Sequence, residues 1–424
     1  MIMHTKTSHN DKVLLGGSFH PSEPPDQMPA VLIILGALWG DNGITAHLMT
    51  LSQCLISVGC KVGLATSIAS TQSDVKEEAS RAIERFQKIG VEYFSIPFPL
   101  GGNTMQKSKQ VFSSIYNLDK VLREFKPDVL HVHSLATCPI LYPLRVFHDI
   151  PVVSSCHLEP DPDDLRFGIK FAAFVNKYLV RNFLGDRLIA VSLDLKEAFI
   201  NLMSVPKSNV RIIHHGMDTK YFRVPVLEER RAARRVYGLS DSSMVICLLG
   251  RLSYVKGHDV LIQAIQILKS RGLEVIALCA GKGYGQEAEE LQAEIEKAGV
   301  SHLIKLLGFT DTRQVLWASD VKVLPSRREA APLVIQEAML CGVVPIRTPA
   351  SGARDQIQDG IDGFVIPFDD ATALADRLQT LFENPTLRHQ MAIQAYESAQ
   401  QKFTSLKMTE KMLAVYSEVI QRRK

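Results

Sequence analysis

The sequence predicts an α/β protein of two doubly wound, parallel-sheet domains that face a common cleft. Three observations carry this reading. A chain of 424 residues is too long for one ordinary hydrophobic core and fits two units of about 200 residues each. Short β-branched runs alternate with stretches of helical periodicity along nearly the whole chain, the pattern of a parallel sheet covered by helices on both faces. That alternation lapses once, around residues 214–240, and then resumes.

Residues 1–28 contain Pro21, Pro24 and Pro25, with Pro29 just beyond, and are expected to form an irregular lead-in. Ala30 to Leu35 reads as a buried strand, and Gly36 to Gly43 as the loop after it. Ile44, Leu48, Leu51, Leu55 and Val58 then share one helical face, and Gly59 stops that helix. Lys61 to Ala65 reads as the next strand. Further strands are predicted at Val129 to Val132, Val152 to Ser155, Leu188 to Val191 and Val210 to Ile213. Tyr221 to Tyr237, with several arginines and Pro225, shows no strand and is read as the linker.

The second series predicts strands at Met244 to Leu249, Val275 to Ala280, Ile304 to Leu307, Val321 to Leu324 and Val344 to Arg347. Helices are predicted at Val260 to Lys269, Gln286 to Lys297, Leu333 to Leu340 and Ala371 to Phe382, and two more in the tail from Leu387 to Arg422. The expected domains are Rossmann-like, 29–220 on the acceptor side and 221–405 on the donor side, with the last helix, 406–424, joining the first.

Composition narrows the function classes. With 46% hydrophobic and 22% charged residues the chain is an ordinary globular one, and a net charge of +3 lacks the basic excess of a dedicated nucleic-acid binder. Seven cysteines (54, 60, 138, 156, 247, 279 and 341) form no metal-knuckle pair, and their odd number argues against a disulfide framework. Residues 1–29 lack a cationic start followed by an apolar block, and the longest apolar stretches, such as Val31 to Leu38, are only strand-length. A cytoplasmic location is expected.

Candidate chemistry sits at the predicted carboxyl ends of strands, where open α/β sheets bind ligands. Gly250 to Gly257 follows Met244 to Leu249 and places Arg251 and Lys256 in one Gly-bounded loop. A planar guanidinium fork and a point charge together suit the two phosphates of a diphosphate. The run from Ser326 to Met339 follows Val321 to Leu324 and opens a helix. Amides of its first turn, at Leu333 and Val334, form an anion site. Glu329 precedes that helix and Glu337 lies one turn inside it, so the two carboxylates can grip different hydroxyl-bearing parts of one ligand.

These phrases, GRLSYVKGHDVLIQA (250–264), EAAPLVIQEAMLCGVVPIRT (329–348) and SGARDQIQDGIDGFVIP (351–367), resemble the family 4 retaining glycosyltransferases of the GT-B fold. The resemblance is strong over about 210–370 and weaker but continuous over 30–200. It implies that Arg251 and Lys256 bind the donor diphosphate, Glu329 the transferred sugar and Glu337 the ribose hydroxyls, with the Leu333 and Val334 amides completing the phosphate site beside Gly250. Two departures stand out. Ala330-Ala331-Pro332 replaces a glycine-containing loop, and Pro332 has no N–H to offer. Gly281-Lys282-Gly283 carries a cation where the family often has an acid.

Gly40-Asp41-Asn42-Gly43-Ile44 is a Gly-rich first turn. The resemblance places Gly43 near the donor phosphate and Asn42 on the acceptor side. His157, just past Val152 to Ser155, resembles the family histidine that contacts the donor sugar, and His133, past Val129 to Val132, is a second candidate on the acceptor side.

Asp161-Pro162-Asp163-Asp164 looks like an acidic metal clamp, which hard cations favour. Its prolines suit a cleft loop instead, and Arg251 and Lys256 already supply positive charge, so no metal and no other cofactor is expected. Leu165 to Leu184, apolar with Arg166, Lys170, Lys177 and Arg181 interleaved, is read as a helix on the first sheet, with contact to an anionic membrane as the alternative.

The expected function is retaining transfer of a hexosyl unit from a nucleotide diphosphate sugar, UDP-linked by default, to a glycan or lipid-linked acceptor in polysaccharide or glycoconjugate biosynthesis. A nucleotide-sugar epimerase and a non-catalytic nucleotide-sugar-binding protein are the alternatives on the same architecture.

Overall fold

The computed structural model describes residues 28–40, 42–68, 73–99, 104–133, 137–157, 184–283 and 285–423. Among them, two parallel sheets form. The first is built from β1 (Ala30–Leu38), β2 (Lys61–Ile68), β3 (Glu92–Ser95), β4 (Val129–Val132), β5 (Val152–Cys156), β6 (Arg187–Ala190) and β7 (Val210–Ile212) in the order β3-β2-β1-β4-β5-β6-β7. The second comprises β8 (Met244–Leu249), β9 (Val275–Ala280), β10 (Ile304–Leu306), β11 (Val321–Leu324), β12 (Val344–Arg347) and β13 (Phe364–Val365) in the order β10-β9-β8-β11-β12-β13. Both sheets run outward from their first strand and reverse beside their fourth, so each has a topological switch point.

In the first unit, α1 (Gly43–Ser57), α2 (Ser73–Lys88), α3 (Thr104–Phe125), α4 (Cys138–His148) and α5 (Leu193–Leu202) connect the strands. The second has α6 (Leu227–Val236), α7 (His258–Ser270), α8 (Glu287–Lys297), α9 (Thr312–Ala318), α10 (Leu333–Leu340), α11 (Ala353–Gln356), α12 (Ala371–Glu383) and α13 (Pro385–Lys402), and α14 (Ser405–Gln421) follows. No helix among the described residues is long and apolar enough to cross a membrane.

The central strands are buried on both faces, as parallel sheets require. Val31, Ile33, Leu48, Leu51, Leu55, Ala79 and Phe86 form one core of the first sheet, and Leu32, Leu118, Leu122, Leu130 and Leu144 the other. The predicted stop of α1 takes a specific form. Gly59 has φ +98° and donates its N–H to Ile56 while Cys60 donates to Leu55, a Schellman closure.

Three local expectations are corrected. β1 runs on through Gly36 and Ala37 to Leu38, which pairs with Ile68 after a register shift, so the loop starts later than Gly36. The segment read as linker contains α6. Few of its residues are apolar, and it is held instead by Arg230 and Arg234 on Asp320, at 2.7 and 2.9 Å. β3 and β13, of four and two residues, were not anticipated. The lead-in 1–27 and all of Leu165 to Leu184 except Leu184 lie outside the described residues.

The chain passes between the sheets twice at one place. Outgoing residue Met217 donates to Phe403 at 2.8 Å and accepts from returning Ser405 at 2.9 Å. A side chain at Gly216 would meet the Ser405 Cα at 2.6 Å, so the two passages touch backbone to backbone. α14 then packs on the first sheet through Met408, Met412, Tyr416 and Val419.

Tyr416 is fully buried, and its hydroxyl lies 2.7 Å from Nδ1 of His131, whose Nε2 meets the Ser155 hydroxyl at 2.8 Å. Tyr416→Phe leaves a buried ring nitrogen without its partner and should cost about 1–3 kcal/mol. Tyr416→Ala, which also opens a cavity, should cost about 3–5 kcal/mol. Denaturant unfolding of the two variants checks this order.

Candidate functional site

The switch point of the second sheet lies between β8 and β11, and the two predicted loops leave those two strands. Glycine lets them meet. Gly257 has φ +72°, and a Cβ there would lie 2.2 Å from the Pro325 carbonyl oxygen. A Cβ on Gly281 would lie 1.8 Å from the carbonyl oxygen of Gly250. Arg327 fastens the seam: its amide donates to Val255 at 2.8 Å, and its guanidinium grips both oxygens of Asp259 at 3.0 and 2.7 Å beneath the Tyr254 ring.

Lys256 ends a single 3₁₀ turn, Tyr254–Lys256, and its stem runs beside Gly250, where a Cβ would stand 3.5 Å from Lys256 Cδ. Its Nζ donates to Glu329 Oε1 at 2.6 Å, a contact on which only 24% and 9% of the two side chains remain exposed. Arg251 stands exposed at the head of the same loop. Glu329 therefore comes to the cation across the switch point, 73 residues away in sequence.

α10 begins at Leu333 behind Pro332, and no side chain caps it. The Leu333 and Val334 amides thus belong to an open first turn. Opposite stands the start of α1, where a Cβ on Gly43 would lie 3.8 Å from Leu333 Cδ1. Two helix N-termini, one from each sheet, face each other there, and both favour negative charge. Asn42 caps α1, its side-chain oxygen accepting from the Thr45 amide at 3.0 Å, so that group is engaged by its own helix.

Glu337 is buried one turn inside α10, and Oε2 of its carboxyl has no partner among the described residues. Burial pushes its pKa up to about 7, against the pull of Lys322. Lys322 is itself fully buried on β11, donating to the Val323 carbonyl at 2.8 Å, and burial brings it down to about 8.

His157 and His133 are brought together, with His133 Nδ1 2.8 Å from His157 Nε2. Both are buried, at 9% and 4% exposure. His215 joins them, its Nε2 3.0 Å from His157 Nδ1 and its Nδ1 3.3 Å from the carbonyl of Ala331 in the other unit. His47 completes the group, its ring centroid 5.1 Å from that of His157. His47 and His215 were missed by sequence reasoning, although His215 stands just past β7 and His47 one turn into α1, positions equivalent to those that drew attention to His133 and Gly43.

Gly281-Lys282-Gly283 also reaches across the cleft, where Lys282 Nζ pairs with Glu78 of α2. Asp161, Asp163 and Asp164 lie outside the described residues.

Comparison with known proteins agrees with this architecture. Residues 41–221 match the family described as Glycosyltransferase Family 4, and residues 229–398 match Glycosyl transferases group 1. A D-inositol 3-phosphate glycosyltransferase of Xylanimonas cellulosilytica is 28% identical over 245 residues, 56% of this chain and 58% of that protein. An N-acetyl-alpha-D-glucosaminyl L-malate synthase of Bacillus anthracis is 26% identical over 307 residues, 69% of this chain and 75% of that one. The chain thus spans little more than half the length of several curated relatives that it matches. Among solved structures, Anabaena HepE in complex with UDP and glucose superposes with a TM-score of 0.73 at 21% identity, over 92% of this chain and 100% of that one, a likeness of fold.

Two outcomes follow from the geometry. Gly257→Ala places a Cβ against the Pro325 carbonyl at a positive φ and should destabilise the protein by about 2 kcal/mol or more, read as a lowered unfolding midpoint. Glu337 carries the opposite lesson. Its pKa is about 7 in the fold against 4.5 for the free group, so the stability of the protonated form is lost as pH rises through 7. Glu337→Gln does not ionise, and its stability relative to the parent should improve by about 2 kcal/mol between roughly pH 5 and pH 8. Unfolding curves at the two pH values measure the difference.

Proposed function

This chain belongs to glycosyltransferase family 4, and on that premise we propose that it transfers a hexosyl unit from a nucleotide diphosphate sugar to an acceptor hydroxyl with retention of configuration. The observation that carries the reading is the Lys256–Glu329 contact at the switch point, beside the open first turn of α10. A diphosphate entering there meets Lys256, Arg251 and the Leu333 and Val334 amides. Glu329, released from Lys256, accepts from a sugar hydroxyl, and Glu337 accepts from the ribose.

In the reaction the bond from the sugar's anomeric carbon to the diphosphate oxygen breaks, and a bond from that carbon to the acceptor oxygen forms on the same face. The acceptor's proton passes to a leaving phosphate oxygen. Negative charge grows on the diphosphate as the first bond breaks, and cations and amides already in place stabilise it more in the transition state than in the ground state. The chemistry then needs no metal ion, because Lys256 and Arg251 supply the compensating charge.

UDP is the proposed nucleotide, supported by the UDP and glucose named with the Anabaena neighbour. A glycan or a lipid-linked sugar on the first sheet's side of the cleft is the proposed acceptor. Polysaccharide or glycoconjugate synthesis, in the cytoplasm or at the inner face of a membrane, is the corresponding role.

Lys256→Ala should lower turnover tenfold or more while its circular dichroism stays near that of the parent, with a lower melting temperature because Glu329 loses its partner. A folded variant with near-parental rate overturns the assignment. Product analysis in chelator-treated buffer reads the reaction class: a new glycoside supports transfer, and an isomerised donor in acceptor-free mixtures replaces it with epimerisation.

A further inference from the structure

The buried histidines form a connected series with a defined end. The Ala331 carbonyl can only accept, so His215 Nδ1 carries a hydrogen and His215 Nε2 is left bare. That nitrogen must accept from His157 Nδ1, which leaves His157 Nε2 to accept from His133 Nδ1. His133 Nε2 is then an unprotonated nitrogen, and it is buried with no partner among the described residues. His47 Nδ1 is likewise buried and without a partner. Two orphan ring nitrogens on neighbouring side chains, 3% and 4% exposed, are costly unless something satisfies them.

Their spacing identifies what fits. Each of His47, His133 and His157 offers one ring nitrogen, and the three nitrogens lie within 4.8 Å of one another. The ring centroids are separated by 5.7 Å (His47 to His133), 5.1 Å (His47 to His157) and 5.1 Å (His133 to His157). Three imidazoles on one tetrahedral ion with metal–nitrogen bonds of about 2.0–2.1 Å place their centroids about 5 Å apart. The rings already stand at ligand separation, and binding requires His157 Nε2 to exchange its hydrogen bond from His133 Nδ1 for the metal as the His133 ring reorients.

We propose that His47, His133 and His157 form a binding site for one transition-metal dication of the zinc class, at the carboxyl edge of the first sheet. The hydrogen-bond series gives His157 and His133 one ring hydrogen each, the neutral tautomer that ligates a metal. An all-imidazole set suits zinc, cobalt or copper, whereas magnesium requires oxygen. His215 acts as a positioning residue: it accepts from His157 Nδ1 and is anchored on Ala331, the arrangement that orients metal-bound histidines. The site is separate from the charge compensation proposed for the diphosphate, which Lys256 and Arg251 provide.

The test is a titration of the chelator-stripped full chain, without donor or acceptor, using Co²⁺ read by its visible bands and displaced by Zn²⁺. One Co²⁺ per chain is expected, Mg²⁺ should not compete, and His302→Gln on the surface should bind as the parent does. His47→Gln and His133→Gln should each weaken binding at least tenfold, and His215→Ala by about 10–100-fold. Absence of saturable Co²⁺ binding, or parental affinity in both folded His47 and His133 variants, overturns the proposal. Should those variants fail to fold, zinc-edge anomalous scattering from wild-type crystals soaked in Zn²⁺ decides: a peak among the three rings supports the site, and a peak elsewhere or none overturns it. These readouts involve no turnover, so they stand or fall independently of the transferase assignment.

Discussion

Backbone contact at the switch point of the second sheet is the constraint on which the candidate site rests. Gly257 lies against Pro325, and Gly281 against Gly250, closer than any side chain permits. The loops after β8, β9 and β11 are thereby fused into one floor, and Leu252 adds a bond to the Lys282 carbonyl at 2.9 Å. On a looser floor Lys256 would be a long, mobile cation. Here its stem is laid along Gly250 and its head delivered to Glu329. Preorganisation of this kind is what lets a fixed charge stabilise a developing one without first being reoriented.

Charge is arranged in two layers under that floor. The upper layer, Lys256 with Glu329, is partly open, and each group neutralises the other. The lower layer, Lys322 and Glu337, is buried. A buried carboxyl with an unpartnered oxygen is costly, and Glu337 is tolerated because Lys322 lies within electrostatic reach and because its proton is easily kept, its pKa standing at about 7.

Much of this was legible in the sequence because parallel strands are buried on both faces and so read as continuous apolar runs. β4, β8, β9, β11 and β12 match their predicted limits. The loops following β8 and β11 were legible for a related reason, since strand ends are where such sheets bind ligands. α6 was illegible because it is anchored by guanidiniums on Asp320 and buries little beyond Ala233 and Arg234, leaving no apolar stripe to read. The histidine group was illegible as a group. His47, His133, His157 and His215 leave four separate elements, and nothing in the local pattern of one points to the others. Only the strand order, with β4 beside β1 and β5 beside β4, brings three of them to one edge.

The boundary between the two units has an asymmetry that bears on how a cleft of this kind works. At the passage 216–217 and 403–405 the backbones touch, and Met217 and Phe403 are buried in one apolar cluster. Elsewhere polar pairs join the units, Glu78 with Lys282, Asp194 with Arg354, the Asp355 carboxylate on the Leu193 amide at 2.9 Å and His215 on Ala331, and Ala331 adds a small apolar contact with Leu188, Leu195 and Phe199. Polar groups exchange a protein partner for water at little net cost, whereas exposing an apolar cluster costs in proportion to its area. Separation of the units therefore has a natural axis. The double passage is the contact costliest to open, whereas the facing starts of α1 and α10 lie among the less costly polar ones. The polar pairs that hold the units together therefore also set how closely the two helix starts face each other.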